Sequence, residues 1–432
     1  MENSSKHPNL SPQPSSPRSS HSLNTLFGPL SLLFERLAFY SILRLIWIYL
    51  IEPDIGLEYK EADRVTEGFL LLLVVFKLIG GVLGDFALGR KWLMLSGQLL
   101  QALGAFALCV PHLWGVYLGL FLIALGSGLY SPNVLASLGS SYRSNTTHLA
   151  AGFGLAFLTT LLGASFTYSL LNWLEHDNFR LSFALAGVFS LIASVLSVFV
   201  KESPKREWPK LSVSFKPSTA MYLVGVLLIA GLVSFSSYLI EHVWRSLGEG
   251  KNPISLGPFK FPYHEFSLLT LYLTLPLLLL EVLVLHFVNL NYFLKLAVGI
   301  LLLLVSGLST LLMTPLMMSW RVEEAFPLLF PMLAMAFSDA IIGPMQMATI
   351  GRHAPIRLMG TFFALQSFSI WLLNKVTLTQ DIDGERVLPQ RPLVMGIGIA
   401  VIALATAVTL WLITRRMEKR EVATGQSHPP TV

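Results

Sequence analysis

Gly80-Gly81-Val82-Leu83-Gly84-Asp85-Phe86-Ala87-Leu88-Gly89-Arg90-Lys91 closes one apolar run of the chain and opens the next. An acid lies just inside the hydrophobic segment, and a tight Gly-Arg-Lys turn follows it. Spacing, side and charge agree in pairing Asp85 with Arg90. Such a loop suits a clamp between two membrane helices that is released when the protein changes shape. Gly81, Asp85, Gly89, Arg90 and Lys91 are the residues expected to form this conformational switch.

The composition around it is that of a membrane protein. Of 432 residues, 53% are hydrophobic and 13% charged, with a mean hydropathy of +0.64; a soluble domain carries roughly a quarter charged residues. The 28 Phe and 9 Trp suit lipid-facing surface and interfacial anchoring. The single cysteine, Cys109, sits in an apolar run, which excludes an intrachain disulfide. The net charge of +5 is spread over short connections, so it reports orientation and not nucleic-acid binding. Residues 1–23 are rich in Ser, Pro, His and Asn, too polar to offset ordering entropy, and read as a disordered tail without signal-peptide character.

At about 20 mostly apolar residues per crossing, twelve spans are expected. They lie near 25–51, 67–88, 92–111, 114–137, 148–172, 181–201, 218–244, 265–288, 292–317, 325–350, 356–377 and 392–414. Alternate connections carry the cations: Arg90-Lys91, Arg143, the Lys201–Lys216 linker (Lys205, Arg206, Lys210), Lys295, Arg352 with Arg357, and Arg415-Arg416 with Lys419-Arg420. The other set is acidic or mixed: Glu52, Asp54, Glu58 and Glu61, then Glu175 and Asp177, Glu323-Glu324, and Asp381 with Asp383. The positive-inside rule then puts both termini in the cytoplasm. That side also holds Asn145-Thr146-Thr147, which discounts it as a glycosylation sequon. The charged, Pro-containing break at 202–217 divides the spans six and six. The expected organisation is a tail (1–23), a bundle (24–201), a linker (202–217), a second bundle (218–416) and a tail (417–432).

Ionisable residues inside spans cost at least ~2.5 kcal/mol each, so each needs a partner or a wet cavity. They are Glu35, Arg36 and Arg44 on helix 1, Lys77 on helix 2, Glu241 on helix 7, Glu281 on helix 8 and Asp339 on helix 10. At about 1.5 Å per residue, Glu35, Arg36, Lys77 and Asp339 share a central layer. Glu281 falls slightly nearer the cytoplasm, and Arg44 and Glu241 fall in the outer third, where they would form a gate. Structural alternatives stand beside these roles. Glu35–Arg36 is also readable as a satisfied core pair, Lys77 as a snorkelling amine, Glu281 as a partner of His286, and Glu241 as a helix contact to Arg245. Met313, Met317-Met318 and the methionines from Met332 to Met347 read as packing filler. The scattered histidines have no metal-ligand spacing, so no metal and no cofactor is expected.

The Gly80–Lys91 stretch resembles the signature loop of the major facilitator superfamily. Phe34-Glu35-Arg36-Leu37-Ala38-Phe39-Tyr40 resembles the E-x-x-E-R-F-x-Y-Y signature of its proton-coupled oligopeptide transporter branch. Gly126-Ser127-Gly128-Leu129-Tyr130-Ser131-Pro132-Asn133 is similar to that branch's G-x-G-L-x-K-P-N, and Asp339-Ala340-Ile341-Ile342-Gly343-Pro344 to its E-L-x-x-S-P. Ala354–Gly360 through Asn374 follows its helix 10–11 turn and helix 11. The departures fall on coupling chemistry. Leu32 stands for an acid, Ser131 for a lysine, Phe39 for a tyrosine, Asp339 for a glutamate and Gln366 for a tryptophan.

The resemblance implies a twelve-helix fold of two six-helix halves that rock about a central cavity. It implies a solute site of Arg36, Phe39, Tyr40, Asn133, Asp339 and Gln366, with Arg36 and Tyr40 on a carboxylate and Asp339 on an ammonium. Glu35, Arg36, Lys77 and Glu281 would form the proton-coupling or ion-pair set, Lys77 standing opposite Glu35 for the missing lysine. The expected activity is secondary transport of a small zwitterion, a di- or tripeptide or an amino-acid-like solute, with protons. The alternative is a proton-independent or exchange carrier for another organic ion. The expected setting is the cell (inner or plasma) membrane, with solute and protons as partners, no nucleic acid and a monomer as functional unit. There is no nucleophile motif or phosphate-binding loop to indicate an enzyme.

Overall fold

The computed structural model describes residues 26–142, 146–173, 178–200, 217–248, 254–256, 259–261, 266–285, 291–319, 326–376, 379–380, 386–387 and 391–423. The 1–23 tail, the linker up to residue 216, Asn145, His286 and the acids at 175, 177, 323, 324, 381 and 383 lie outside these residues. So does the side chain of Arg245.

The described residues form twelve α-helices: α1 (Phe27–Ile51), α2 (Tyr59–Phe86), α3 (Arg90–Leu108), α4 (Leu113–Tyr142), α5 (Thr146–Trp173), α6 (Phe179–Val198), α7 (Pro217–Gly248), α8 (Phe266–Leu285), α9 (Tyr292–Ser319), α10 (Phe326–His353), α11 (Met359–Val376) and α12 (Pro392–Ala423). Two small antiparallel ribbons join them, β1 (Ile254–Leu256) with β2 (Phe259–Phe261), and β3 (Thr379–Gln380) with β4 (Arg386–Val387). Among the described residues, nine helices are long and apolar enough to cross a membrane. Any membrane-length window of α1 includes Glu35, Arg36 and Arg44, which sets that helix apart.

Two ends differ from the expected spans, for one physical reason. α2 starts at Tyr59, well before residue 67, with Glu58 at its N-cap and Glu61 in its first turn. α12 continues beyond residue 414 through Arg415, Arg416 and Lys419 to Ala423, so the expected 417–432 tail begins as helix. Acids at a helix N-terminus and cations towards a C-terminus complement the helix dipole. Helical structure therefore outruns the apolar stretch that hydropathy detects.

α1 to α6 pack as one bundle and α7 to α12 as another. Within the first, backbones touch through glycine. A Cβ on Gly97 would lie 2.6 Å from the carbonyl oxygen of Gly126, and one on Gly104 would lie 2.7 Å from that of Gly119. A Cβ on Gly80 would collide with the backbone of Gly128. Trp92 and Trp114, exposed near the starts of α3 and α4, suit interfacial anchoring. Between the bundles, α2 packs on α11, α5 on α8 and α10, and α4 on α11. Among the described residues α1 and α7 share at most marginal contact.

Candidate functional site

The Gly80–Lys91 turn joins the two halves through hydrogen bonds. Asp85 ends the apolar part of α2, where its carboxylate meets the start of α11. Its oxygens accept from the backbone N–H of Gly360 (3.1 Å), the backbone N–H of Thr361 (2.7 Å) and the Thr361 hydroxyl (2.9 Å). The first N–H groups of a helix have no intrahelical acceptor and carry partial positive charge, so a carboxylate there is doubly favoured. Arg90 donates to Asp85 at 2.8 Å and to the carbonyl oxygen of Ile356 at 2.7 Å, in the 3-10 turn Ile356–Leu358 that precedes α11. Gly81 lies one turn before Asp85, and a Cβ there would lie 2.7 Å from the Gly360 carbonyl oxygen. Gly89 is the N-cap of α3. Lys91 begins α3 beside Arg90 and has no partner among the described residues.

Aromatic side chains close the same end further across. Phe153 of α5 stacks obliquely on Phe363 of α11, centroids 5.6 Å apart, and abuts Gly351 of α10. Phe157 abuts Gly343 of α10. These two contacts run in opposite directions along the two helices, so α5 and α10 are antiparallel.

That register defines a charged layer. Asp339 lies one turn from Gly343, level with a point one turn beyond Phe157. Gly163, which seats the Cβ of Arg36, is only about 3 Å further along α5. Arg36 and Asp339 therefore share a level on opposite halves. Lys77 shares it too, because its backbone lies against Gly128 of α4, one turn from Ser131, and Ser131 accepts from Arg36 at 2.7 Å.

The charges in this layer are held differently. Glu35 is wholly buried; it pairs with Arg36 Nε at 3.0 Å and accepts from Ser127 at 3.1 Å. Arg36 also lies over the Phe39 ring, 5.7 Å from its centroid, and Phe39 meets Tyr40 edge-on at 5.8 Å. Phe39 itself is buried in the core of its own bundle. Lys77 lies within electrostatic reach of Arg36 and Glu35, yet it forms no ion pair or hydrogen bond among the described residues. Asp339 likewise has no hydrogen bond or ion pair there, and Glu241 of α7 lies within electrostatic reach of it.

Other expected residues sit elsewhere. Asn133 is wholly buried, and its amide donates to the carbonyl oxygens of Gly80 (2.9 Å) and Leu129 (2.7 Å), joining α4 to α2. Gln366 donates to Gln346 of α10 at 3.2 Å, both nearly buried. Glu281 faces Lys295 of α9 inside the second bundle, apart from the Glu35 group. Arg44 lies two turns along α1 from Arg36, about 12 Å away. Sequence reasoning missed Ser127, Gln346, Gly360 and Thr361. It also missed an ion pair across the halves, Lys375 Nζ to Glu67 at 2.8 Å, which pins the far end of the α2–α11 seam.

Twelve helices in two bundles, with charged residues in a layer between them and a cross-bundle contact at one end, define a multi-helix fold of membrane-spanning character. Residues 30–374 match the Major Facilitator Superfamily, and the chain belongs to that superfamily, one of transporters and not of enzymes. The chain is 30% identical over 218 residues to a dipeptide and tripeptide permease A of Yersinia pestis, a match covering 49% of this chain and 42% of that protein. It thus spans less than half the length of the curated relatives it matches. Its fold is similar to that of a POT family transporter solved with 5-aminolevulinic acid (TM-score 0.58, 17% identity, 91% of this chain and 96% of that one). It is also similar in fold to the human organic anion transporter TETRAN (TM-score 0.63, 14% identity, 90% and 97%).

Proposed function

We propose that the protein is a secondary transporter that moves a small zwitterionic solute, a di- or tripeptide or an amino-acid-like molecule, by alternating access with protons. The observation that carries this reading is the opposition of cations and acid in one layer, Arg36 and Lys77 on the first half and Asp339 on the second. A zwitterion between them would meet a partner at each end, and charge-assisted contacts of that kind are the strong ones. The name of the Yersinia pestis relative, a dipeptide and tripeptide permease, agrees with such a solute.

The Asp85 end is taken as cytoplasmic from the cation distribution, with both termini on that side of the cell membrane. The arrangement described is then the one closed to the cytoplasm, and release of Asp85 from α11 opens it. The two halves are taken as 24–201 and 218–416, joined by the linker, with a monomer as the working unit. Arg44 and Glu241 would form the outer gate, and Glu281 with Lys295 a second ion pair able to respond to protons. Uptake of radiolabelled Ala-Ala into proteoliposomes, with and without an imposed pH gradient, tests the proposal. Accumulation only with the gradient is expected; no uptake under either condition would remove it.

A second reading, a proton-independent or exchange carrier of another organic ion, is favoured by one observation. Glu35 is ion-paired with Arg36 and accepts from Ser127 within one half, while Leu32 stands buried one turn below. Uptake independent of the gradient and stimulated by internal solute would select it.

A further inference from the structure

The charged layer does not treat its two cations alike. Arg36 is already engaged: its Nε lies 3.0 Å from Glu35 Oε2 as an ion pair, and Ser131 accepts from its Nη2. Lys77 has neither kind of partner among the described residues. Its direction follows from its helix. Residues 77, 81 and 85 recur every four along one face of α2, and two of them touch the opposite half, Gly81 at Gly360 and Asp85 at Gly360 and Thr361. Lys77 therefore stands on the face turned to the other bundle, one turn above the point where the halves meet. The residues at 76, 80 and 84 turn instead to α4, through Phe121, Gly128 and Asn133.

Charge balance then assigns the cation. Arg36 and Glu35 neutralise each other, and Asp339 has only a like charge, Glu241, as its electrostatic neighbour, so Lys77 and Asp339 are the opposed charges of the layer without an ion pair or hydrogen bond among the described residues. A lone ammonium in a membrane-spanning segment is costly unless something meets it. We propose that Lys77, and not Arg36, receives the carboxylate of the transported zwitterion, Asp339 taking its amine and Arg36 acting as a positioning residue that keeps Glu35 in place. This inference rests on the zwitterion reading above and adds to it the residue that recognises the acid end.

The test is a ligand–protein cycle on the full-length chain in lipid nanodiscs. Binding of Ala-Ala is compared with that of its C-terminal amide, Ala-Ala-NH2, in wild type, Lys77→Met, Lys77→Gln and Lys77→Arg. In the wild type, Ala-Ala should bind about tenfold tighter than the amide, as one charge-assisted contact implies. In Lys77→Met and Lys77→Gln the ratio should fall to unity or reverse, because Asp339 then faces only a positive ligand. Lys77→Arg should keep the preference. A ratio unchanged in Lys77→Met or Lys77→Gln overturns the assignment. Equal binding of both ligands by wild type also overturns it, while leaving the zwitterion transporter possible; absence of binding by either ligand removes both readings together.

Discussion

Asp85 and Thr361, 276 residues apart in the chain, meet at 2.7 Å, a carboxylate of one bundle against the first turn of a helix in the other. The same carboxylate takes the Gly360 N–H and the Arg90 guanidinium, so its charge serves a helix end and a cation at once. Hydrogen bonds to a charged group contribute about 1.5–3 kcal/mol each. Asp85→Asn keeps the shape and removes the charge. A cysteine placed at Met359 should then react faster with a membrane-impermeant maleimide, and transport should slow about tenfold or more. Unchanged labelling and unchanged transport would show that this contact is not electrostatic.

The glycines of α2 provide an internal control. A Cβ on Gly81 would lie 2.7 Å from the Gly360 carbonyl oxygen, whereas one on Gly68 would meet nothing within 4 Å. Gly81→Ala should destabilise the closed arrangement by about 1–3 kcal/mol through overpacking. Gly68→Ala should be neutral or gain up to about 1 kcal/mol, because alanine favours helix. Thermal unfolding of the two variants side by side decides it, and equal effects would mean the seam yields at no cost.

Partnered and unpartnered charges should also separate. Glu35→Gln strands Arg36, and breaking a pair this buried costs about 3–5 kcal/mol. Lys77→Met breaks no contact among the described residues. The melting temperature should therefore fall more for Glu35→Gln than for Lys77→Met, and the reverse ranking would contradict the division of roles between the two cations.

Asn133 should behave as a fastener. Its amide joins Gly80 of α2 to its own helix, so Asn133→Ala should lower thermal stability by about 1–3 kcal/mol. The loss should show in folded yield more than in KM. A large KM change at undiminished stability would return Asn133 to the solute site.

Asp85 was legible because its partner Arg90 is local and its setting, an acid at the edge of an apolar run, is written in adjacent residues. The central layer was legible because helical rise converts residue numbers into depth. What lay beyond reach was azimuth, the direction each side chain takes around its helix. Asn133 reads as a polar residue in a span until Gly80 is seen beside it. Glu281 reads as a neighbour of the central layer until Lys295 is seen facing it within the second bundle. Gly360 and Thr361 were missed because the groups they offer Asp85 include backbone N–H donors, which every residue but proline has. Gln346 carried the one usable signal, a polar side chain in an apolar helix.

The glycine contacts of the first bundle bear on mechanics. At Gly97–Gly126 and Gly104–Gly119 a backbone carbonyl is the first atom a Cβ would meet, with Ile123 and Leu108 side chains beside it at Gly104 and Gly119. In the second bundle the corresponding neighbours are side chains: Leu410 against Gly225, Leu373 against Gly231, Ile342 against Gly299 and Ile397 against Gly307. Side chains have rotamers and backbones do not. Compliance is thus unequally shared. The close approach of α3 to α4 leaves less room for repacking than the side-chain-filled glycine contacts of the second bundle, so a given shift between helices should cost more in the first.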